Sequence, residues 1–106
     1  SEPVRISYQH PLTGKITSYV PDFIIVYRDS NGKKNAELVE IKPSSQSNPK
    51  FAKGRAQQAQ VIVNYAKWEA ATQWAKKRGM KFRVLNEGDI YANTKKPKVV
   101  KSRKKK

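Results

Sequence analysis

Three charged side chains interrupt runs that otherwise read as buried β-strands. Asp22 breaks the apolar, β-branched run at 19–27 (Val20, Phe23, Ile24, Ile25, Val26, Tyr27), and Glu40 and Lys42 break the run at 36–42 (Leu38, Val39, Ile41). A charge in a buried strand costs several kcal/mol unless it is paired or holds a metal. Two carboxylates and a lysine brought to one place suit a hard divalent cation such as Mg²⁺, which takes one or two protein carboxylates and keeps several waters. A cation held there can polarise a phosphodiester, and the lysine can steady water or phosphate charge. A second reading, a structural ion pair at a sheet edge between Lys42 and Glu40 or Asp22, stands beside the first.

The link between the runs decides whether the three can meet. Asp29-Ser30-Asn31-Gly32 carries Asp at the first position of a type I turn and Gly at the last, the pattern of a three-residue hairpin loop with a left-handed Gly bulge. In that register Asp29 pairs with Lys33 and, counting back, Asp22 faces Glu40. Opposed residues point to one side, with Cβ atoms roughly 5 Å apart. Lys42, two residues on, shares that side. A two-residue Asn31-Gly32 loop shifts the pairing by one and turns Asp22 away.

Pro21-Asp22 followed, after a hairpin, by Glu40-Ile41-Lys42 resembles the core of the PD-(D/E)XK nucleases. Ser1-Glu2-Pro3-Val4-Arg5-Ile6, a hairpin with Pro11 and Gly14, Tyr19-Val20-Pro21-Asp22-Phe23, Leu38 to Pro43, and Gly79-Met80-Lys81-Phe82-Arg83-Val84 narrow the likeness. They are similar to the N-terminal domain of TnsA-type transposon endonucleases and to the related phage head-completion nucleases, over roughly residues 1–92. The resemblance implies an α/β, restriction-endonuclease-like core with a mixed β-sheet flanked by helices. It implies Mg²⁺-dependent hydrolysis of DNA, with Mn²⁺ able to substitute. Asp22, Glu40 and the Ile41 carbonyl would hold the metal, and Lys42 would serve catalysis beside Asp22 and Glu40. Related nucleases carry a further carboxylate, commonly Glu, on a helix before the first strand. Glu2 lies in the lead-in to that strand instead, so the resemblance places that helix, and its ligand, before Ser1.

Within the likeness the expectation is a head-completion-type nuclease, because little chain comes after the last strand. The rivals are a transposon end-cutting subunit acting with a partner transposase and a DNA-binding module without catalysis. The partners implied are DNA and a phage head or portal component or a transposase. The implied location is the cytoplasm of a bacterial or phage-infected cell, or the virion.

Composition agrees with a polyanionic partner. The 106 residues carry 23 Lys and Arg against 8 Asp and Glu, a formal charge of +15. The last twelve residues hold eight basic groups and no acid, and without them the body still carries +7. The length fits one domain, placed at 1–92, with a basic disordered tail at 93–106. No run reaches the roughly 20 apolar residues of a membrane span. The absence of cysteine excludes disulfides and thiolate metal sites.

The elements expected around the site run β-β-β-α-α-β. A first strand at 3–8 alternates Val4, Ile6 and Tyr8 on one side. The second, 16–27, needs an irregularity at Pro21, which offers the ladder no N–H. In the hairpin, Phe23, Ile25, Tyr27, Val39 and Ile41 are assigned to the main core, with Glu37 solvated on their side. Residues 43–47 read as a polar loop. Asn48-Pro49 starts a helix through 50–60, weakened in mid-course by Gly54. Residues 64–78 form a second helix with a packing stripe of Tyr65, Trp68, Ala71, Thr72 and Ala75, and 61–63 either extend the first or join the two. Trp68 and Trp74 read as packing residues. Residues 80–85 form the last strand, with Phe82 and Val84 inward. His10 reads as a surface turn residue, and Glu87 and Asp89 as capping or solvent groups. Lys50, Lys53, Arg55, Lys101, Arg103 and Lys104 are candidates for DNA phosphates.

Overall fold

The computed structural model describes residues 4–90. The hairpin β1 (Ile6–Gln9) and β2 (Ile16–Tyr19) closes on Gly14, whose φ of +76° no β-carbon tolerates well. Val20-Pro21-Asp22 then leaves the ladder, and the chain resumes as β3 (Phe23–Arg28). The long second strand is thus two strands, divided where proline withholds its donor. β4 (Lys34–Ile41) pairs antiparallel with β3, Phe23 facing Val39 and Arg28 facing Lys34. β5 (Lys81–Leu85) pairs parallel with β4, so the three-stranded sheet has β4 at its centre.

The turn from β3 to β4 has the form its residues dictate. The Gly32 N–H donates to the Asp29 carbonyl at 2.9 Å, the Asp29 N–H donates to the Lys33 carbonyl at 2.9 Å, and Gly32 takes φ +79°. The Asp29 carboxylate accepts from the N–H groups of Asn31 and Lys33 and from the Asn35 amide. Those bonds hold its pKa below the usual carboxylate value.

Between β4 and β5 the helical content differs from expectation. Residues 43–47 contain a short helix, α1 (Ser44–Ser47), rather than only a loop. Asn48 does cap the next element, its Oδ1 accepting from the Lys50 N–H at 2.9 Å. That element is a 3-10 turn (Pro49–Phe51), ended by extended Ala52 and Lys53. Gly54, with φ +76°, opens the next helix instead of interrupting one. A single helix, α2 (Gly54–Lys77), then runs through both expected helices. Its buried stripe is Val61, Asn64, Trp68, Ala71 and Ala75, spaced at helical intervals and joined by Val63. Tyr65 and Thr72 lie outside it and are exposed.

The core forms where α2 crosses the sheet. Ile6, Leu38, Ala71 and Ala75 are fully buried together, with Val4, Tyr19, Ala70, Trp74, Met80 and Phe82 packed around them. The two alanines let the helix lie close to Leu38. Trp68 and Trp74 pack as expected, and Phe82 points inward. The core assignment in the hairpin holds in β4 alone, because β3 is exposed on both of its faces. Phe23, Ile25, Tyr27 and Ile41 are exposed, and of that set only Val39 is buried. α2 covers Leu38 of the central strand together with Ile6 and does not extend over β3.

Candidate active site

Asp22 and Glu40 meet as the bulged turn requires. Their contact is reciprocal: the Asp22 N–H donates to Glu40 Oε1 at 3.3 Å, and the Ile41 N–H donates to Asp22 Oδ2 at 2.9 Å. Each carboxylate is therefore fixed by the other's strand. Lys42 completes the group, its Nζ 3.9 Å from Glu40 Oε2. β4 supplies Glu40, Ile41 and Lys42, and the Lys42 N–H is anchored to the Leu85 carbonyl at 2.9 Å. The break at Pro21, a buried residue, delivers Asp22 from the other strand.

The two acids differ in surroundings. Asp22 is exposed, whereas Glu40 is 6% exposed. Burial is the main influence raising the Glu40 pKa, and the Asp22 charge adds to it; Lys42, the Asp22 N–H and Lys67 pull the other way. The pair thus sets two carboxylates side by side, one of them buried, with Lys42 at 3.9 Å as the nearest cation. Its hard oxygen donors and mutual repulsion fit a divalent cation, which relieves both burial and like-charge strain. The residues available to hold one are Asp22, Glu40 and the Ile41 carbonyl. Among the described residues, no group of three or more His, Cys, Asp or Glu side chains comes together as a metal site.

The segment after Lys42 is tied down. The buried Asn64 of α2 donates through Nδ2 to the Gln46 carbonyl at 2.9 Å, and Tyr65 Oη donates to the Ser47 carbonyl at 2.9 Å. The Ser44 N–H donates to Glu87 Oε1 at 3.0 Å. Glu87 therefore caps α1, and Asp89 and Asn86 cap each other's backbone. Lys50, Lys53 and Arg55 are exposed on the 3-10 turn and the start of α2. They bond to neither acid. Lys101, Arg103, Lys104 and the tail at 93–106 lie outside the described residues. His10 is a turn residue, its Nδ1 accepting from the Leu12 N–H.

Glu37 corrects another expectation. Its side chain is only 12% exposed and pairs with Arg83 Nε at 3.0 Å, while Tyr27 Oη donates to its other oxygen. It is not solvated, and it faces away from Glu40.

Two residues that sequence reasoning passed over meet between β2 and α2. Tyr19 Oη is buried, and Lys67 Nζ of α2 lies 5.8 Å from the Tyr19 ring centroid and 5.9 Å from that of Tyr8. The available signal was position: Lys67 stands three residues after Asn64 and four before Ala71, on the packed side of α2.

A sheet with acids delivered from two strands, and a lysine two residues beyond the second acid, defines an α/β fold compatible with a restriction-endonuclease-like core. Residues 1–87 match the family model of the TnsA-like endonuclease N-terminal domain, and the chain belongs to that family. It is also similar to the head completion nuclease of Enterobacteria phage T4, with 33% identity over 102 residues covering 87% of this chain and 65% of that protein. The chain thus spans just under two thirds of that relative's length. No solved structure matches it. Among the described residues, no helix is long and apolar enough to cross a membrane.

Proposed function

We propose that this chain is a metal-dependent DNA endonuclease of the phage head-completion type. The observation that carries this reading is the reciprocal clamp between Asp22 and Glu40 with Lys42 beside it. Asp22, Glu40 and the Ile41 carbonyl hold Mg²⁺, or Mn²⁺ in its place. When bound, the ion neutralises phosphate charge and acidifies a water to serve as nucleophile. The protein's own groups supply the positioning. The Ile41 N–H orients the Asp22 carboxylate, the Asp22 N–H orients Glu40, and the Lys42 ammonium donates to the phosphate or the attacking water as negative charge accumulates. Lys50, Lys53, Arg55 and the tail residues Lys101, Arg103 and Lys104 attach the DNA backbone electrostatically. The setting is the cytoplasm of a bacterial or phage-infected cell, with a phage head or portal component as partner.

The test is nicking of supercoiled plasmid in Mg²⁺ and in Mn²⁺ by the wild type and by Asp22→Ala, Glu40→Ala and Lys42→Ala. Cutting that requires the metal and all three side chains supports the reading. Two other outcomes point elsewhere. Cutting only with an added transposase indicates a transposon end-cutting subunit, the alternative favoured by the TnsA-like family match. DNA binding with no cutting under any metal indicates a binding module, favoured by the absence of a three-ligand acidic cluster among the described residues.

A further inference from the structure

A groove of about 520 Å³ lies between β1 and the last turns of α2. Arg5, just before β1, and Ser7 within it form one wall, and Gln73, Trp74, Lys77 and Arg78 of the helix end form the other. Arg5, Ser7, Lys77 and Arg78 are exposed, so their donors are open to a ligand. The lining holds three cations and no carboxylate. Among the described residues the ion pairs are Lys42–Glu40 and Arg83–Glu37, so no acid neutralises any of the three. Like charges gathered in a concave surface repel one another and draw an anion between them.

The donors are fixed as well as accessible. Arg78 Cζ lies 3.8 Å from the centroid of the Trp74 ring, and Arg78 Nη1 donates to the Trp74 carbonyl at 3.0 Å. The stack sets the plane of the guanidinium and leaves most of its five N–H groups for another acceptor. The backbone of β1 adds a neutral donor. The His10 N–H donates to the Lys15 carbonyl at 2.8 Å, so His10, Tyr8 and Ile6 turn their backbone groups toward β2 and Ser7 turns its N–H away. That side of β1 pairs with no strand among the described residues. Gln73 is already used, its Nε2 donating to Glu69 Oε2 at 3.2 Å.

We propose that this groove binds phosphates of duplex DNA, with Arg5, Lys77 and Arg78 as cationic donors and the Ser7 N–H as a neutral one. Spacing along α2 favours a duplex over an acidic peptide. Arg55, at the start of the helix, stands roughly 22 residues before Lys77, which is about six turns and about 33 Å. The two therefore lie on the same side of the rod, about one turn of B-DNA apart. A duplex laid along α2 meets cations at both ends of the helix. The choice of DNA as ligand rests on the nuclease reading, so the test separates the two.

The measurement is fluorescence anisotropy of a labelled duplex bound to the full chain in metal-free buffer across a KCl series, with plasmid nicking in Mg²⁺ run in parallel. Arg5→Gln and Lys77→Gln are each expected to weaken binding about fivefold and to flatten the plot of log affinity against log salt by about one unit, the loss of one ionic phosphate contact. The double variant should lose about two units, and Lys77→Arg should keep the wild-type slope. Lys34→Gln, the same change of charge on the exposed β3–β4 hairpin, should leave the slope unchanged. If the double variant keeps the wild-type slope, or Lys34→Gln lowers it as much as Lys77→Gln, the groove is overturned; nicking that Asp22→Ala abolishes then leaves the nuclease reading standing. If the wild type never nicks DNA but the groove variants still flatten the slope, the nuclease reading fails and the DNA groove stands. If a labelled polyglutamate peptide binds the wild type and is lost from the double variant while DNA binding is unchanged, the groove takes a peptide and the proposal is overturned. If circular dichroism shows Lys77→Gln unfolded, Arg5→Gln decides alone, and an unchanged slope in that variant overturns the proposal.

Discussion

Glu37 and Glu40 lie three residues apart in β4, are both largely buried, and point to opposite sides of the sheet. Glu37 is fully provided for: a guanidinium on one oxygen and a phenol on the other. Glu40 has a backbone N–H at 3.3 Å, an ammonium at the limit of ion-pair distance, and a second carboxylate as its neighbour. A carboxylate that has its partners serves the fold. One buried beside a like charge has the surroundings in which functional acids are found. On the proposed reading the same strand contains a structural acid and a functional acid, and the difference lies in their partners rather than their depth.

The largest expected effect separates the two in activity. Glu40→Ala or Asp22→Ala is expected to lower the plasmid nicking rate at least about 10³-fold, roughly 4 kcal/mol of transition-state stabilisation. Glu37→Ala is expected to stay within a few-fold of wild type. Equal losses at Glu37 and Glu40 would erase the distinction. Next comes the contrast between the two sides in stability. Leu38→Ala, under α2, is expected to cost about 2–4 kcal/mol in urea unfolding, and Ile25→Ala, on the exposed side, less than about 1 kcal/mol. Comparable losses would mean that the Ile25 side is covered in solution.

A third variant addresses the turn that aligns the acids. Gly32→Ala forces a β-carbon into the left-handed region and is expected to cost about 1–2 kcal/mol. Nicking should persist as long as the register holds. The smallest effect has the opposite sign. The raised pKa of Glu40 means that the folded protein keeps this proton to higher pH than the unfolded chain does. The associated stability is full below the ordinary glutamate range and is lost as pH rises through the folded-state value. In metal-free buffer, Glu40→Gln should therefore melt a few degrees above wild type at neutral pH, and the two should converge in acid. A lower melting temperature at neutral pH would mean that Glu40 is adequately compensated after all.

The encounter of Asp22 with Glu40 was legible because local chemistry dictates it. Asp29 and Gly32 select one turn, and that turn counts the strand back to Asp22. The break at Pro21 was legible for the same reason, the missing donor. The exposure of β3 was not legible: Phe23, Ile24, Ile25 and Val26 are an unbroken apolar run that reads as buried, yet all four are exposed. A distant partner, α2, covers Leu38 of β4 and leaves β3 uncovered. Gly54 misled because a glycine within a polar, helix-forming stretch looks the same whether it weakens a helix or starts one; only its positive φ distinguishes them. Asn64 was unreadable as a buried residue because its partner, the Gln46 carbonyl, belongs to backbone that folds elsewhere. Tyr65 left the stripe for a similar bond to Ser47.

The continuity of α2 has a mechanical consequence. Asn64 and Tyr65 grip the carbonyls of α1, Lys67 stands over Tyr19, and Ala71 and Ala75 are wedged against Leu38, all along one rigid rod. The stretch beyond Lys42 cannot swing outward alone; it must shed two bonds to the rod or carry the rod with it, and the rod is nailed to the core. On the proposed reading, DNA lying against this segment would have to bend to fit it rather than push it aside.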